Sequence, residues 1–464
     1  AFINTLIYNF DFNTIIPNIN ICCPKTSIIG TDEFDIFINR NNLYKIIDDP
    51  NISYNELIYH FSNAKLSDTL VKRLKVFLKL INKPIAVRSS GLFEDSIMQP
   101  FSGIFETSLL PNNNPDIDIR LEQLSQAIKL VYASVYSKTA REYIKAINYK
   151  LEDERMAIIL QEVVGNSYNG YFYPHISGVA QSYNYYPFGH MQPEDGFAII
   201  AVGLGKYVVE GEKTYRFCPK YPTLEINSTK DIINNSQTSF IAVDLHKQTL
   251  NFNEGDMAGL ARLDISEALN HGTIRHCAST FETDNNRIIP GITNKGPIII
   301  NFSNILKYNY IPLAQTIDNI LDIVKEALGT PVEIEFAIDL NKDNNFKASF
   351  YILQIKPLIG NAQDYEININ DIDKAKILLF SEKGMGNGII NNIHDVVFVK
   401  KEAFDKAKTV EMTLEIEHIN SSFSNNNYIL IGPGRWGTRD RWIGIPVEWH
   451  QISKAKYIVE TSLE

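Results

Sequence analysis

The chain has 464 residues, a length at which two or three subdomains with separate hydrophobic cores are expected. Its 44% hydrophobic and 21% charged residues are ordinary for a folded globular protein and argue against overall disorder. The formal net charge of −10, without any run of Lys or Arg, argues against nucleic acid as a partner, so small ligands are expected instead.

Cysteine usage and hydropathy predict a cytoplasmic protein. Four cysteines in a chain of this length do not form a disulfide framework, and Cys22 and Cys23 are adjacent. The apolar runs are too short to cross a bilayer, so neither a membrane span nor a membrane partner is expected. Because the chain starts at Ala1 and stops at Glu464 after a strand-like stretch, we expect covalently attached domains beyond both ends. The sequence leaves a homo-oligomer open.

The first predicted subdomain comprises residues 1–155. It opens with a predicted helix, and PKTSIIGTDEFDIFI then predicts a β-rich segment that runs into an acidic, aromatic turn. Apolar residues recur every three or four positions over residues 66–81 and again over 121–135, which predicts two long helices. Between these helices, PIAV predicts a buried strand that ends at Arg88.

The second predicted subdomain comprises residues 156–365. Short β-branched runs separated by Gly, Asn and Pro predict strands of an antiparallel or mixed sheet up to about residue 252. A helix is predicted over 312–328, followed by a hairpin. The linker GNAQDYEININD then separates residues 373–464, a C-terminal α/β segment of unknown role. These elements predict an α+β fold.

The hairpin VEIEFAIDLNKDNNFKASFYILQIKPL has a register that can be predicted. A turn centred just after Asn344 places Glu335 opposite Gln354, and Glu333 opposite Lys356. Because side chains alternate along a strand, these four residues share one polar face. On the apolar face the same alternation places Ile334, Phe336, Leu353 and Ile355.

The polar face of this hairpin allows two interpretations. The carboxylate of Glu335 beside the amide oxygen of Gln354, with a cation two residues along, suits Mg²⁺ bridging phosphate oxygens. A solvated sheet face with one cross-strand ion pair explains the same residues. The hairpin alone leaves both interpretations open.

A second polar group follows the predicted PIAV strand in PIAVRSSGLFEDS and PFSGIFET. The guanidinium of Arg88, the hydroxyl of Ser90 and exposed backbone N–H groups can hold phosphate oxygens. Ser102 and Gly103 form a small pair that can approach a phosphate closely. A strand end, a turn and surface ion pairs are the alternative interpretation of this stretch.

Five motifs, taken in order, carry a resemblance to a known family. They are VRSSGLFEDS with FSGIFET, MAIILQEVV, SGVA, GLGKYVVEGE, and EIEFAID with YILQIKP. Over roughly residues 20–360 the chain resembles the nucleotide-binding domain of phosphoenolpyruvate synthase and pyruvate phosphate dikinase, which rifampin phosphotransferase shares. The resemblance implies an ATP-grasp-like fold of two subdomains with ATP and Mg²⁺ held between them.

The resemblance also implies roles for individual residues. Arg88 matches an arginine that contacts ATP phosphates, and Gln161 matches a residue that lines the adenine pocket. Glu335 and Gln354 match ligands of the metal and the nucleotide. Lys356 stands where the family has an arginine, and its point charge is a weaker catalytic substitute for a bidentate guanidinium. The nucleotide contacts expected from the loops come from Ser90, Ser102 and Gly103.

The function implied by the resemblance is that of an ATP-dependent kinase or phosphotransferase that holds MgATP for transfer to an unidentified acceptor. The family's ATP-binding lysine precedes its first helix, about where this chain starts, and none of the nine histidines lies in the family's Gly-Gly-x-Thr-Ser-His setting. The alternative is a non-catalytic nucleotide-sensing or interaction module of a larger protein. An ATP-grasp carboxylate ligase agrees less well with the RSS and ILQ-x-K-P motifs.

All three tryptophans, Trp436, Trp442 and Trp449, lie in the C-terminal stretch YILIGPGRWGTRDRWIGIPVEWHQIS. Its glycines and arginines suit an anion site in which a tryptophan stacks on a ring. Tight turns packed by tryptophan explain the same sequence, and both interpretations stay open.

Overall fold

The structure is a computed structural model. It describes residues 2–49, 52–91, 105–146, 151, 154–184, 187, 190–224, 229–358, 372–381, 384, 390, 393–423, 427–438 and 444–462. The predicted site residues Ser102 and Gly103 and the predicted linker therefore lie outside the described residues.

The described residues form both helices and strands. The helices are α1 Phe2–Asn9, α2 Phe12–Ile15, α3 Thr31–Arg40, α4 Tyr44–Ile47, α5 Tyr54–Asn63, α6 Asp68–Leu80, α7 Ile117–Ser134, α8 Lys138–Ala146, α9 Lys206–Val209, α10 Thr229–Asn234, α11 Ile265–Asn270, α12 Ser303–Leu306, α13 Leu313–Leu328 and α14 Thr409–Ser422. The strands are β1 Ile19–Cys22, β2 Thr26–Ile29, β3 Ile85–Gly91, β4 Thr107–Leu110, β5 Met156–Glu162, β6 Asn166–Tyr168, β7 Tyr171–Tyr173, β8 Ile176–Gln181, β9 Phe197–Ala201, β10 Tyr215–Phe217, β11 Ser239–Asp244, β12 Leu260–Asp264, β13 Ala278–Glu282, β14 Arg287–Pro290, β15 Ile298–Ile300, β16 Val332–Asp339, β17 Ala348–Pro357, β18 Ile393–Phe398, β19 Asn427–Pro433, β20 Arg435–Trp436, β21 Gly444–Ile445 and β22 Ala455–Thr461. None of the described helices is long and apolar enough to cross a membrane.

The first hydrophobic core lies between helices and a four-stranded antiparallel sheet in the order β2-β5-β3-β4. Helix α6 shows why these helices form. Leu70, Leu74 and Leu78 recur every four residues and are buried, so they present one apolar stripe to the core. The hydroxyl of Ser67 accepts a hydrogen bond from the backbone N–H of Leu70 and caps the first turn. The predicted helices α6 and α7 are both confirmed.

The second hydrophobic core underlies a six-stranded sheet in the order β1-β17-β16-β8-β9-β10. Helix α13, which the sequence predicted, buries its apolar stripe in this core and ends at Gly329, whose φ of 68° lies in the left-handed region that glycine favours. A four-stranded sheet, β12-β11-β7-β6, and a three-stranded sheet, β14-β13-β15, contribute to the same core. The predicted antiparallel or mixed sheet is confirmed, because β1 pairs parallel to β17 and the other pairs of the six-stranded sheet are antiparallel.

Sheet membership does not follow chain order at two places. Strand β1 pairs with β17, and Leu6, Phe12 and Ile16 belong to the second core. Strand β5 pairs with β2 and β3 in the sheet of the first core. The division into 1–155 and 156–365 stays a prediction. A strand near the start of the first range belongs to the sheet of the second core, and the strand that starts the second range belongs to the sheet of the first core.

The predicted β-rich segment is confirmed at β2, but the acidic, aromatic turn predicted after it is wrong. Strand β2 ends at Ile29, and helix α3 starts at Thr31. Asp32 and Glu33 lie in the first turn, where carboxylates interact favourably with the helix dipole. Phe34 and Phe37 are three residues apart and both are buried, which is a helical rather than a strand spacing.

The C-terminal segment has an α/β architecture. Strands β18, β19 and β22 form a parallel sheet, and α14 packs with it around a third hydrophobic core. Trp436 is 8% exposed, and its indole N–H donates to the carbonyl of Val459. A Cβ on Gly432 would clash with the Trp436 ring, so this glycine allows the close packing of the ring. Packing thus accounts for Trp436, while Trp442 lies outside the described residues.

The three-stranded sheet β14-β13-β15 is supported by one buried carboxylate. The side chain of Glu282 is 7% exposed and accepts hydrogen bonds from Asn285 at 2.8 Å and Arg287 at 2.7 Å. Its other oxygen lies 3.4 Å from the Nζ of Lys295. The hydrogen bonds from Asn285 and Arg287 lower the pKa of Glu282 to about 2.

We expect Glu282→Gln to lower the melting temperature at pH 7. A carboxylate whose pKa is lowered by folding stabilises the protein above its unfolded pKa of about 4.3 and loses this contribution as the pH falls to the folded pKa. The difference between variant and wild type should therefore narrow below about pH 4.3 and vanish near pH 2. Thermal melts across this range measure it, with the exposed Glu254→Gln as the control. A difference that stays constant from pH 7 to pH 2 would contradict the assignment.

Candidate functional site

The hairpin of β16 and β17 has the predicted register at its polar end. Glu335 lies opposite Gln354, and Glu333 lies opposite Lys356. Both pairings are confirmed. On the apolar side of the same strand, Ile334 is fully buried. One face of the hairpin therefore belongs to the core, and the other carries the polar residues.

A β-bulge at Leu353 interrupts the hairpin beside the site. The register shifts after Glu335, so that Phe336 pairs with Ile352 and Leu353 is an extra residue on β17. The prediction that Leu353 faces the core is wrong: Ile352 is fully buried there, and Leu353 is half-buried. Because the bulge changes the alternation, Gln354 shares a face with Glu335 although the core residue Ile352 lies only two positions before it.

Arg88 joins the two main sheets. Strand β3 was predicted to end at Arg88 but continues to Gly91, because Arg88 pairs with Ile159 of β5 and the pairing runs on through Gly91. The Nη2 of Arg88 donates to Glu335 Oε2 at 2.6 Å and also to Gln354 Oε1. Arg88, on the four-stranded sheet, therefore hydrogen-bonds to the carboxylate of Glu335 and the side-chain amide of Gln354, which both lie on the six-stranded sheet.

Gln161 completes this group, and its position follows from strand pairing. It lies opposite Ala86 on β3, and Arg88, two residues further along, is on the same face. Gln161 Oε1 accepts from Arg88 Nη1 at 3.4 Å, and Gln161 Nε2 donates to the carbonyl of Leu353 at 3.1 Å and to Thr26 Oγ1 at 3.5 Å. We call Arg88, Gln161, Glu335 and Gln354 the Arg88 cluster.

The sequence analysis missed two residues that hydrogen-bond to Gln161, and one that hydrogen-bonds to Glu333. Thr26 pairs with Gln161 across β2 and β5, and Leu353 contributes only its carbonyl oxygen. Neither carries a recognisable motif, since the first contact depends on strand pairing and the second on the bulge. Gln181 was also missed: its Nε2 donates to Glu333 Oε2 at 2.6 Å from the neighbouring strand β8.

The Arg88 cluster is largely withdrawn from solvent. The side chains of Arg88 and Glu335 are 20% and 18% exposed. Burial alone would raise the pKa of Glu335, but the positive charges of Arg88 and Lys356 outweigh burial and lower it. Burial raises the pKa of Glu333, and the hydrogen bond from Gln181 and the charge of Lys356 oppose that rise only in part. The site thus keeps one carboxylate firmly ionised beside a second that protonates more easily.

The remaining predicted residues are placed as follows. Ser90 is half-buried on β3, two residues after Arg88 and therefore on the same side of the strand. Lys356 is half-buried on β17. Ser102 and Gly103 fall outside the described residues. A groove of about 530 Å³ elsewhere, lined by Arg275, His276, Gly291, Ile292, Asn304, Tyr308 and Tyr310, contains none of the predicted site residues.

A metal ion at the Arg88 cluster would be held by two kinds of oxygen, a carboxylate oxygen of Glu335 and the amide oxygen of Gln354. Within the part of the chain that the structure describes, no three His, Cys, Asp or Glu side chains lie together as a ready metal site. One carboxylate and one amide oxygen are nevertheless a sufficient protein contribution for Mg²⁺, which keeps several waters and takes further oxygens from substrate phosphates. The residues present fit such an ion.

A mixed α+β architecture in which two sheets meet at a buried cluster of polar and charged side chains is that of an ATP-grasp-like nucleotide-binding domain. The family model of the pyruvate phosphate dikinase AMP/ATP-binding domain matches residues 9–376, and the chain belongs to this family. The predicted family and fold class are confirmed, and residues 9–376 form an ATP-binding domain of the phosphoenolpyruvate synthase type. The match ends before β18, and no curated protein matches the chain.

Proposed function

We propose that this domain binds MgATP at the Arg88 cluster and transfers a phosphoryl group to an acceptor, as a kinase or phosphotransferase. The observation that carries the proposal is the convergence of Arg88, Gln161, Glu335 and Gln354 from two sheets within hydrogen-bonding distance. These residues are separated by up to 266 positions in sequence. Such a charged cluster is costly to bury and therefore favours a functional role over a solvated sheet face.

Each residue of the cluster has a chemical role in this proposal. Arg88 binds phosphate oxygens through its planar fork of N–H donors. Glu335 and Gln354 hold a divalent cation, and Gln161 contacts the nucleotide near its base. When bound, Mg²⁺ would supply positive charge that neutralises the phosphates. Ser90, Ser102 and Gly103 add contacts to the phosphates.

Catalysis in such a site rests on position and charge rather than on a covalent intermediate with the protein. The acceptor forms a bond to phosphorus while the bond from phosphorus to the leaving oxygen of ATP breaks. Lys356, two residues beyond Gln354, stabilises the negative charge of the transferring group. It does so less effectively than an arginine, because a single ammonium does not reproduce the bidentate geometry of a guanidinium.

A second candidate function is nucleotide sensing without phosphoryl transfer. Lys356 favours it, because this residue lies opposite Glu333, and the two form a cross-strand pair of opposite charges. A lysine whose charge already acts on Glu333 and Glu335 contributes less to phosphate charge. Binding of ATP would then alter the relation of the two subdomains and signal to an attached domain.

The expected location of this activity is the cytoplasm. The four cysteines, Cys22, Cys23, Cys218 and Cys277, are all free, as suits a reducing compartment.

Incubation of the full-length protein with MgATP separates these functions. Transfer of the terminal phosphoryl group predicts ADP together with a phosphorylated acceptor, or with phosphate when water is the acceptor. Lys356→Arg is expected to raise the rate because it restores the bidentate donor. Measurable ATP affinity without turnover in either protein would contradict phosphoryl transfer and favour sensing. Absence of ATP binding would contradict both functions.

A further inference from the structure

A single nitrogen of Arg88 occupies the space between two proposed metal ligands. Its Nη2 donates to Glu335 Oε2 at 2.6 Å and at the same time to Gln354 Oε1. The same guanidinium reaches Gln161 Oε1 through Nη1 at 3.4 Å. Three of the side chains that the proposed function assigns to the nucleotide and its metal therefore contact the arginine.

The geometry resembles that of a cation with oxygen ligands. Mg²⁺ binds oxygens at about 2.0–2.1 Å, only about half an ångström closer than the guanidinium nitrogen lies to Glu335. A metal ion and the Nη2 of Arg88 cannot both occupy the position between Glu335 and Gln354. Their like charges would also repel each other strongly in a site that is largely shielded from water.

We propose that Arg88 acts as a stand-in cation in the nucleotide-free protein and excludes the divalent metal until ATP phosphates draw the arginine away. This inference rests on the proposed function, and it adds that metal and nucleotide bind cooperatively. Without the metal, Arg88 compensates the largely buried charge of Glu335; with MgATP, the metal compensates Glu335 and Arg88 pairs with phosphate.

The surroundings of Arg88 allow this exchange of partners. Gln161 Nε2 donates to the carbonyl of Leu353 at 3.1 Å, so the side chain stays anchored through its nitrogen when the arginine leaves its oxygen. Lys356, across from Glu333, also lowers the pKa of Glu335 through its charge and stays beside the site. Replacing Arg88 therefore leaves the negative charge of Glu335 partly compensated by Lys356, and it leaves the Glu335 oxygen accessible to a metal ion.

The proposal is tested by titrating the full chain with Mn²⁺ in the absence of nucleotide. The electron paramagnetic resonance signal of free Mn²⁺ measures how much of the metal is bound. Arg88→Met is expected to bind Mn²⁺ about 5- to 150-fold more tightly than wild type, the usual range for coupled sites. The double variant Arg88→Met with Glu335→Gln should lose this gain. The matched control Arg40→Met, which removes an arginine from a surface pair with Asp68, should bind Mn²⁺ as wild type does.

A further variant distinguishes two effects of Arg88 on metal binding: the physical occupation of the metal position and the positive charge near Glu335. Lys356→Met also removes one positive charge near Glu335, so it is expected to gain less Mn²⁺ affinity than Arg88→Met. Equal gains in the two variants, or no gain in a folded Arg88→Met, would overturn the proposal. If Arg88→Met does not fold, Arg88→Lys takes its place. The lysine side chain is shorter and does not carry its ammonium as far as the position of Nη2 between the two oxygens, so Mn²⁺ should bind more tightly than to wild type. An affinity equal to that of wild type would overturn the proposal.

Failure of the proposed function gives a different result. If wild type does not bind a non-hydrolysable ATP analogue even with Mn²⁺, the site is not a nucleotide site, and both the function and the inference are wrong. If wild type binds the analogue with Mn²⁺ and also binds Mn²⁺ alone as tightly as Arg88→Met, only the inference is wrong.

Discussion

Replacing Glu335 with glutamine is expected to weaken binding of a non-hydrolysable ATP analogue about 10- to 150-fold in the presence of Mg²⁺. The substitution keeps the shape of the side chain but removes the charge that the metal and Arg88 share. Interactions with a charged partner contribute about 1.5–3 kcal/mol, which corresponds to this range of dissociation constants. Isothermal titration calorimetry with and without Mg²⁺ measures the loss.

The loss should be confined to the metal-dependent part of the affinity. Without Mg²⁺ the variant and wild type should differ much less, because Arg88 is available to phosphate in both proteins and no metal depends on the charge of Glu335. The control Glu212→Gln removes a more exposed carboxylate from its pair with Arg262 and should leave binding unchanged. An Mg²⁺ dependence in Glu335→Gln equal to that of wild type would contradict the metal assignment.

Phe350→Ala is expected to lower the free energy of unfolding by about 3–5 kcal/mol, the cost of removing a large buried aromatic side chain. Phe350 is fully buried in the second core and stacks on Phe336, with 4.8 Å between the ring centroids. The two rings lie on β17 and β16, the strands that present Gln354 and Glu335. The core beneath the site therefore depends on this pair.

The same hairpin offers a matched control for this prediction. Phe346 lies in the turn between β16 and β17 and is 81% exposed, so Phe346→Ala should change the free energy of unfolding by no more than about 0.5 kcal/mol. Urea unfolding of both variants measures the difference. Similar effects of the two substitutions would show that the second core is not organised around Phe350 as described.

The hairpin illustrates what alternation in a sequence can predict. The pairings of Glu335 with Gln354 and of Glu333 with Lys356 follow from the period of two and a central turn. The bulge at Leu353 could not be predicted in this way, because one extra residue leaves no compositional trace: Ile352 and Leu353 are equally apolar. The register was therefore correct at the site, and the apolar face was wrong at one residue.

The segment DEFDIFI shows a second limit. Its acidic residues directly after Gly30 favour a turn, whereas Phe34 and Phe37 have the spacing of a helix. The structure forms α3 because both rings then pack in the first core, against Tyr132 of α7. Tertiary packing decided between two local patterns of similar strength.

The residues of the Arg88 cluster were predicted, and so was the pairing of Glu335 with Gln354, but the contacts of Arg88 and Gln161 were not. Each contact joins strands that are distant in sequence, as with Arg88 on β3 and Glu335 on β16. The link from Gln161 to the carbonyl of Leu353 depends on the bulge as well as on the approach of the two sheets. Such contacts follow from the tertiary structure and not from any local pattern.

The most direct test of the central claim is the position of a metal ion in crystals of the protein with Mn²⁺ and a non-hydrolysable ATP analogue. Anomalous scattering should place Mn²⁺ between Glu335 and Gln354, with the guanidinium of Arg88 moved onto a phosphate. A nucleotide bound at another place, with Glu335 and Gln354 still held by Arg88, would contradict the account.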